Sequence, residues 1–340
     1  VIIRSRAPLR VGLAGGGTDV APYSDLYGGY VLNATISMYA YATIIPRDDG
    51  KVIFRLADRG IEKICDSAYE LQVDGDFSIV EGVYNRIVKE FSKKPLSFEL
   101  TTYVDAPPGS GLGGSSTLVV AVVGAFSEWL NLPLGEYDIA KIAFEIERIE
   151  LGMKGGKQDQ YAATFGGFNF MEFYKDEKVI VNPLRVRRDY INEIQFNLLL
   201  FYTGTSRLSS LIIEKQVENV KDGYAPSLEA MHRLKDQAVR MKEAILTGSL
   251  DVIGEILDYG WRYKKQMADG ITNPVIDEIY EAAVKAGAVG GKLSGAGGGG
   301  FMMLYCPGVT RYAVIEALRK FGGEFRRYSF TSEGLTTWKI

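Results

Sequence analysis

In the first hundred residues, apolar positions alternate more often than they recur at helical spacing. Val1 to Leu13 alternates loosely and predicts a strand, with Pro8 marking an edge or a bulge. Val31 to Ile36 and Tyr39 to Pro46 predict a strand pair, and Lys51 to Leu56 and Ile61 to Cys65 two shorter strands. Ser78 to Phe91 then switches period, with apolar residues at 79, 80, 83, 87, 88 and 91, and predicts a helix. After a strand at Ser97 to Val104, Leu118 to Leu130 is dense in Ala, Val and Leu and predicts a buried helix. Leu134 to Leu151 predicts a second helix, and Phe168 to Tyr174 with Lys178 to Val186 a closing strand pair. Beyond it come an apolar strand, Gln195 to Thr203, and four helices over about 207–221, 226–247, 250–268 and 274–286. A strand at Phe301 to Tyr305, a helix at Val309 to Phe321 and strands at Glu324 to Phe330 and Leu335 to Ile340 end the chain. The order of elements is that of an α+β protein, and its 340 residues suggest about two domains, expected over 1–186 and 187–340.

Composition narrows the function classes. Hydrophobic content of 46% with 24% charged residues is that of an ordinary globular protein, and the net charge of −3 gives no basic field for nucleic acid or an anionic membrane. No apolar run reaches the roughly 18 residues of a membrane span. Cys65 and Cys306 supply neither a disulfide framework nor a metal cluster, which fits a reducing cytoplasm. His232, the one histidine, lies in a charged helical stretch and is expected to be a solvated helix residue, so a histidine-based triad or zinc site is not expected.

Three glycine-bearing segments carry the candidate chemistry. The first, Ala14-Gly15-Gly16-Gly17-Thr18-Asp19, follows the opening strand and places two polar side chains at a loop tip; on its own it reads first as a hairpin turn. The second, Pro107-Pro108-Gly109-Ser110-Gly111-Leu112-Gly113-Gly114-Ser115-Ser116-Thr117, joins a strand to the apolar helix. Its glycines allow close backbone approach, and the unpaired N–H groups and positive dipole end of the helix suit a polyphosphate. It is neither a Walker loop, since no Lys follows the last glycine, nor a G-x-G-x-x-G fingerprint. The third, Gly290 to Gly300, lies between two strands and can line a site where a ligand meets backbone. Between the second and third, Gly155-Gly156-Lys157-Gln158-Asp159 starts a short helix with an acid in its first turn, suited to accepting a proton or positioning a hydroxyl. Arg262, Lys264 and Lys265 beside Trp261 are expected to form a solvated face.

These segments, in this order and over essentially the whole chain, resemble the GHMP kinase superfamily. Ala7-Pro8-Leu9-Arg10 through Asp19 matches its first motif, Pro107 to Thr117 its second and Lys292 to Phe301 its third. The resemblance implies a two-domain fold, with an N-terminal domain like domain 2 of ribosomal protein S5 and a ferredoxin-like C-terminal domain. It implies ATP-dependent phosphorylation of a small-molecule hydroxyl with Mg²⁺. Residues from Pro108 to Ser116, Gly109, Ser110, Gly111, Leu112, Gly113, Gly114 and Ser115 among them, would wrap the ATP phosphates. Either Ser115 or Ser116, with Glu147, would hold the metal ion. Asp159 would face the acceptor hydroxyl, and Arg10 would keep it ionised and stabilise the attacking oxygen. Gly17, Thr18, Asp19, Lys157 and Gly297 would contact substrate, although the Gly-Glu-His usual before the Asp is replaced here by glycines.

Within the superfamily the Ala-Pro-Leu-Arg and Gly-Gly-Gly-Thr-Asp forms of the first motif look like those of the branch acting on heptose 7-phosphates. The implied product is a 1,7-bisphosphate, made in the cytoplasm on a route to nucleotide-activated heptose for surface glycans. A fucose or galactose 1-kinase and an inactive sugar sensor are the alternatives, and a homodimer is left open. A phosphorylated sugar needs a second basic pocket, for which Lys157, Arg207 and Arg262 are the candidates.

Overall fold

A computed structural model describes residues 1–204 and 209–340. The first half runs β1 (Ile3–Ala14), α1 (Tyr23–Tyr27), β2 (Gly29–Pro46), β3 (Lys51–Leu56), β4 (Ile61–Asp66), α2 (Ser78–Ile87) and β5 (Phe98–Val104). It continues with α3 (Gly114–Leu130), α4 (Glu136–Phe144), α5 (Gln158–Phe165), β6 (Phe168–Phe173) and β7 (Val179–Pro183). The second half opens with α6 (Arg188–Asn197), β8 (Leu198–Tyr202), α7 (Ser209–Lys221), α8 (Ala225–Thr247), α9 (Ile253–Lys264) and α10 (Pro274–Lys285). It ends with β9 (Gly290–Leu293), β10 (Phe301–Tyr305), α11 (Thr310–Leu318), β11 (Glu324–Phe325) and β12 (Thr336–Lys339). Among the described residues these strands make two sheets. The eight-stranded sheet has the order β12-β1-β2-β5-β3-β4, with β6 on β2 and β7 on β6; the four-stranded sheet has the order β11-β8-β10-β9.

The expected pair Val31 to Ile36 and Tyr39 to Pro46 is one strand. β1 pairs with β2 from Ile3↔Ile44 to Ala14↔Leu32, so no turn interrupts it; instead β2 changes its other partner, from β6 along Gly29–Ala34 to β5 along Ala40–Pro46. Irregularities between Pro8 and Arg10 and between Gly12 and Ala14 absorb the change of direction, as bulges do. Pro8 lies just past the stretch of β1 that β12 covers, Ile3 to Arg6. The missing N–H of Pro8 therefore leaves no gap on that side.

The helix α3 is buried from Val119 through Phe126. A helix apolar on every face has to be enclosed; this one packs on β1 and β2 under α2, α4 and α5. The hydroxyl of Ser5 donates to the Ala121 carbonyl at 2.5 Å. The predicted helix over 134–151 is α4 continued by a π-wound turn, Glu145–Glu150. The wider winding rotates the following side chains, and Glu147 ends buried. In the second half, Gln195 to Asn197 close α6 and do not open the strand, because Ile191 and Ile194, three apart, pack one helix face inward. Of the strand expected at Glu324 to Phe330, only Glu324–Phe325 forms, and Phe330 meets Ile36 in an isolated bridge. The last strand returns to the first sheet, pairing Thr336–Lys339 with Ile3–Arg6. We propose 186/187 as the boundary between the two halves, with β12 crossing back over it.

One hydrophobic core belongs to both halves. Leu9, Val11, Leu32 and Ala34 of the first sheet meet Leu198, Leu200, Phe301 and Met303 of the second, with Ala238, Met241 and Ile245 of α8 alongside. Each fully buried side chain of this kind contributes about 1.5–3 kcal/mol relative to exposure. Separating the halves would expose many at once, which holds their glycine segments in register. His232 is half-buried and not solvated: its Nδ1 lies 2.8 Å from the Tyr23 hydroxyl and its ring stands edge-on to Tyr27. Among the described residues no helix is long and apolar enough to cross a membrane.

Leu200 is 1% exposed in this shared core. Leu200→Ala is expected to cost about 2–5 kcal/mol through lost transfer energy and a residual cavity. Urea unfolding followed by tryptophan fluorescence and by circular dichroism should show one transition at lower midpoint by both probes. Two separated transitions would mean that the core does not couple the halves.

Candidate active site

Between the halves lies a cleft of about 710 Å³, and all three glycine segments reach it. The buried guanidinium of Arg10, on β1, lines it. Arg10 Nε and Nη2 lie 2.7 and 2.6 Å from Asp159 Oδ1, in the first turn of α5. Nη1 donates to the Gly111 carbonyl at 2.6 Å and to Ser294 Oγ at 3.3 Å. One side chain thus joins β1, α5, the second glycine segment and the third. Among the described residues no hydrogen bond engages Asp159 Oδ2. The Asp159 side chain is 19% exposed against 5% for Arg10, so the open oxygen belongs to the more accessible partner.

Two glycines explain how the segments come so close. Gly111 has φ +79° and a Cβ there would lie 2.3 Å from the Ser294 carbonyl oxygen. Gly113, also at φ +79°, caps α3, and a Cβ would stand 3.1 Å from Asp159 Cγ. A side chain at 111 would push apart segments joined by hydrogen bonds from Phe301 N to Ser110 O at 2.9 Å and from Arg10 N to Leu112 O at 3.2 Å, and one at 113 would crowd the Asp159 carboxylate.

Across the mouth of α3 lies a second polar group. The Ser115 hydroxyl donates to Glu147 Oε1 at 2.8 Å, and Gln160 Nε2 donates to Glu147 Oε2 at 2.7 Å. Arg148 Nη1 is 3.2 Å from Glu147 Oε1. A carboxylate only 1% exposed needs such partners to stay in place. Ser116 differs from its neighbour: it is buried, and its Oγ accepts from Arg148 Nη2 and from Gln160 Nε2, both at 3.2 Å.

Every residue from Pro107 to Ser116 except Leu112 lines the cleft. Leu112 is fully buried in the shared core. Gly17 and Asp19 line it too, Asp19 accepting from Gly17 N at 3.1 Å, Gln158 N at 3.1 Å and Gln158 Nε2 at 3.2 Å. Thr18 does not. Its hydroxyl has Gly15 O at 2.8 Å and Tyr30 O at 2.9 Å as acceptors for its one proton and accepts from Tyr30 N, so it fastens the loop to β2. Lys157 turns away: it is buried over the Phe144 ring with Nζ 3.3 Å from Glu177, and the exposed Lys154 lines the cleft in its place. Gly297 backs onto Ile271 and is not part of the lining. Arg262 is 74% exposed and paired with Asp258, outside the cleft; Arg207 lies outside the described residues.

Two cations were hidden in the sequence pattern. Lys264, expected on a solvated face, is 3% exposed and lines the cleft, donating to the Gly295 carbonyl at 2.5 Å. Lys292, equally buried, donates to the Gly12 carbonyl at 2.9 Å. Burial, then the charge of Arg10, pushes Lys264 down to about 8, with Asp19 opposing. Burial, then Lys264 and Arg10, holds Lys292 well below the usual lysine range. Periodicity carries a signal for Lys264: it lies three residues after Trp261 and seven after Leu257, both buried on the inner face of α9. Gln158 and Gln160, also missed, serve Asp19 and Glu147 by hydrogen bonds that only tertiary proximity creates, and Arg148, next to Glu147 in the chain, pairs with it while reaching Ser116.

Residues 78–167 match the family model of the GHMP kinases N terminal domain, and residues 241–324 that of the GHMP kinases C terminal domain. The chain is 52% identical over 338 residues to the D-glycero-alpha-D-manno-heptose 7-phosphate kinase of Campylobacter jejuni, covering 99% of each chain. The crystal structure of a D-glycero-D-manno-heptose 1-phosphate kinase from Bacteroides thetaiotaomicron superimposes with a TM-score of 0.85 at 43% identity, over 99% of both chains. Lactococcus lactis galactokinase in complex with galactose shares the fold, with a TM-score of 0.77 at 21% identity over 98% of this chain and 95% of that one. A guanidinium-clamped acid facing a glycine loop at a helix start, reached by three glycine segments in this order, agrees with those matches: the chain belongs to the GHMP kinases, ATP-using enzymes of a two-domain fold.

Proposed function

We propose that this kinase transfers the γ-phosphoryl group of ATP to the anomeric hydroxyl of D-glycero-D-manno-heptose 7-phosphate, giving the 1,7-bisphosphate. The observation that carries the reading is the Arg10–Asp159 pair, with its open carboxylate oxygen, set beside the start of α3. The heptose phosphate as acceptor rests on the 52% identity with the Campylobacter jejuni enzyme over its full length.

Phosphoryl transfer asks the protein mainly for positioning and charge neutralisation. The loop from Pro107 to Ser116 would cradle the triphosphate with backbone N–H groups and the dipole of α3. The apolar end of the cleft, with Leu56, Ile79, Val80 and Val104, would receive the base. Asp159 Oδ2 would accept the proton of the attacking hydroxyl while Arg10 holds Oδ1. An anomeric hydroxyl is more acidic than an ordinary alcohol, so a carboxylate is base enough.

The donor set at the mouth of α3 fits Mg²⁺. Glu147 Oε1 and Ser115 Oγ are hard oxygen donors 2.8 Å apart; Mg²⁺ is commonly held by one or two protein oxygens plus substrate phosphates. Bound there, the ion would neutralise charge on the phosphates. Ser116 Oγ is engaged by Arg148 and Gln160, which favours Ser115 as the hydroxyl ligand and Ser116 as a support. Gln160 keeps Oε2 of Glu147 turned inward.

Coupled ADP release over D-glycero-D-manno-heptose 7-phosphate, mannose 6-phosphate, fucose, galactose and mevalonate tests the acceptor. The heptose phosphate should be turned over fastest; a free sugar in its place would discard the substrate and keep the chemistry. Asp159→Asn is expected to lower kcat by about 10²–10⁴-fold, the range for a positioned general base. ATP affinity, by fluorescence titration, should stay close to that of wild type, and near-normal turnover would sink the role. For the metal, Ser115→Ala should raise the Mg²⁺ concentration for half-maximal rate more than Ser116→Ala does. The reverse order would exchange their roles.

A further inference from the structure

Beside the Arg10–Asp159 pair the cleft ends in a polar corner that the transfer chemistry above does not use. Lys264 enters it from the last residue of α9. An ammonium has three N–H donors; among the described residues this one has a single hydrogen bond, to Gly295 O. Asp19 lies near enough to act on its charge, and Arg10 more strongly. Gln158, which orients Asp19 through its backbone and side-chain nitrogens, has a buried Oε1 with no partner. These groups meet over Gly16: a Cβ there would stand 3.9 Å from Lys264 Nζ, from Lys292 Nζ and from Gln158 Nε2. Spare donors on a cation and the acceptor oxygens of a buried carboxylate, with the Gln158 amide between them, suit a hydroxyl, which both donates and accepts. A lysine kept out of water with donors unused is a costly arrangement unless a ligand completes it.

We infer that Lys264 is a positioning residue for the acceptor: its ammonium donates to the sugar hydroxyl on the carbon next to the one phosphorylated, fixing the ring so that the attacked hydroxyl meets Asp159. This rests on the reading of the protein as a sugar kinase and goes beyond it by naming the group that reads the acceptor's second hydroxyl. Lys264 serves the sugar ring and not the distal phosphate, because it lines the cleft together with Arg10 and Asp159, the pair at the transfer point.

The test is steady-state kinetics of wild type, Lys264→Met and Lys264→Arg on the sugar that wild type phosphorylates best, and on its analogue deoxygenated at the neighbouring carbon. A hydrogen bond from a charged donor corresponds to about 10–100-fold. Lys264→Met should raise the acceptor KM by that factor and leave the ATP KM within twofold. Wild type should discriminate against the deoxy analogue by a similar factor, and Lys264→Met should not. Lys264→Arg should restore part of both effects. A pH profile adds a readout that a structural role would not move. Lys264 is pushed to about 8 by burial and by Arg10, with Asp19 opposing and Lys292 facing it. It is cationic below that value, so the wild-type acceptor KM should rise above it and the Lys264→Met profile should lack the step. Equal increases in both KM values with a lowered Tm would reduce Lys264 to a tie for the Gly295 carbonyl and overturn the inference. So would unchanged discrimination by Lys264→Met. Should that variant not fold, retention of the deoxy analogue by wild type without penalty is enough to overturn it. Wild-type turnover on a free sugar removes the heptose phosphate reading but leaves this test intact; turnover on mevalonate alone removes both.

Discussion

The site depends on the burial of one guanidinium. Arg10 is almost out of water, and a charge in that position has to be met by groups that stay put. It is met by a carboxylate from α5, a carbonyl from the second glycine segment and a hydroxyl from the third. Each of these lies on a separate stretch of chain, so the cost of leaving Arg10 unpaired falls on all of them together. The pairing does more than stabilise: it leaves one oxygen of Asp159 without a protein partner beside the start of α3, where a reacting hydroxyl can use it.

The glycines follow from the same constraint. Where backbones touch, carbonyl oxygens crowd together, and side chains have no room to satisfy them from the inside. Cations inserted from the flanks do it instead. Arg10 takes Gly111 O, Lys264 takes Gly295 O and Lys292 takes Gly12 O. A loop of this kind needs small residues at the contact and long basic residues behind it, held by a core that does not slip. The apolar surface shared by β1, β2, β8, β10 and α8 supplies that core.

Much of this is legible in the sequence, for physical reasons. Glycine clusters at helix and strand ends, an acid in the first turn of a short helix and a uniformly apolar helix are local patterns, and α3 and Asp159 lie where such patterns put them; Glu147 sits in a run of acids that reads as a solvated helix face, and only the family resemblance singles it out. What escaped was set by tertiary context. The continuous β2 depends on β1 pairing across the point where the second partner changes. The return of β12 depends on an open edge of β1 that periodicity cannot see. Lys157 and Lys154 lie three residues apart in a glycine-rich loop, and only the fold decides which faces the cleft. Lys264 looked solvated because charged neighbours surround it in sequence, although its spacing from Leu257 and Trp261 marks the inner face of α9.

The division between exposed and buried cations separates two tasks. Arg59 and Lys154 line the cleft from positions open to solvent, where their fields are screened over about 8 Å at physiological ionic strength. On a bound polyphosphate they would act at a distance, as an attraction that salt weakens. Arg10, Lys264 and Lys292 sit out of water, so ions in solution barely reach them, and their hydrogen bonds have fixed directions. They tie the backbone of the glycine segments together, through Gly111 O, Gly295 O and Gly12 O. The depression of the two lysines follows from that choice: cations crowded in a dry corner lose protons more readily, and the protein accepts this where orientation matters more than net charge. Two counterweights keep the corner from being purely repulsive. The carboxylate of Asp159 stands against Arg10, and that of Asp19 opposes the shift of Lys264. Losing Asp19 would therefore disturb Lys264 as well as the Gln158 amide it touches, which makes Asp19 part of the site's charge balance whether or not it meets the sugar.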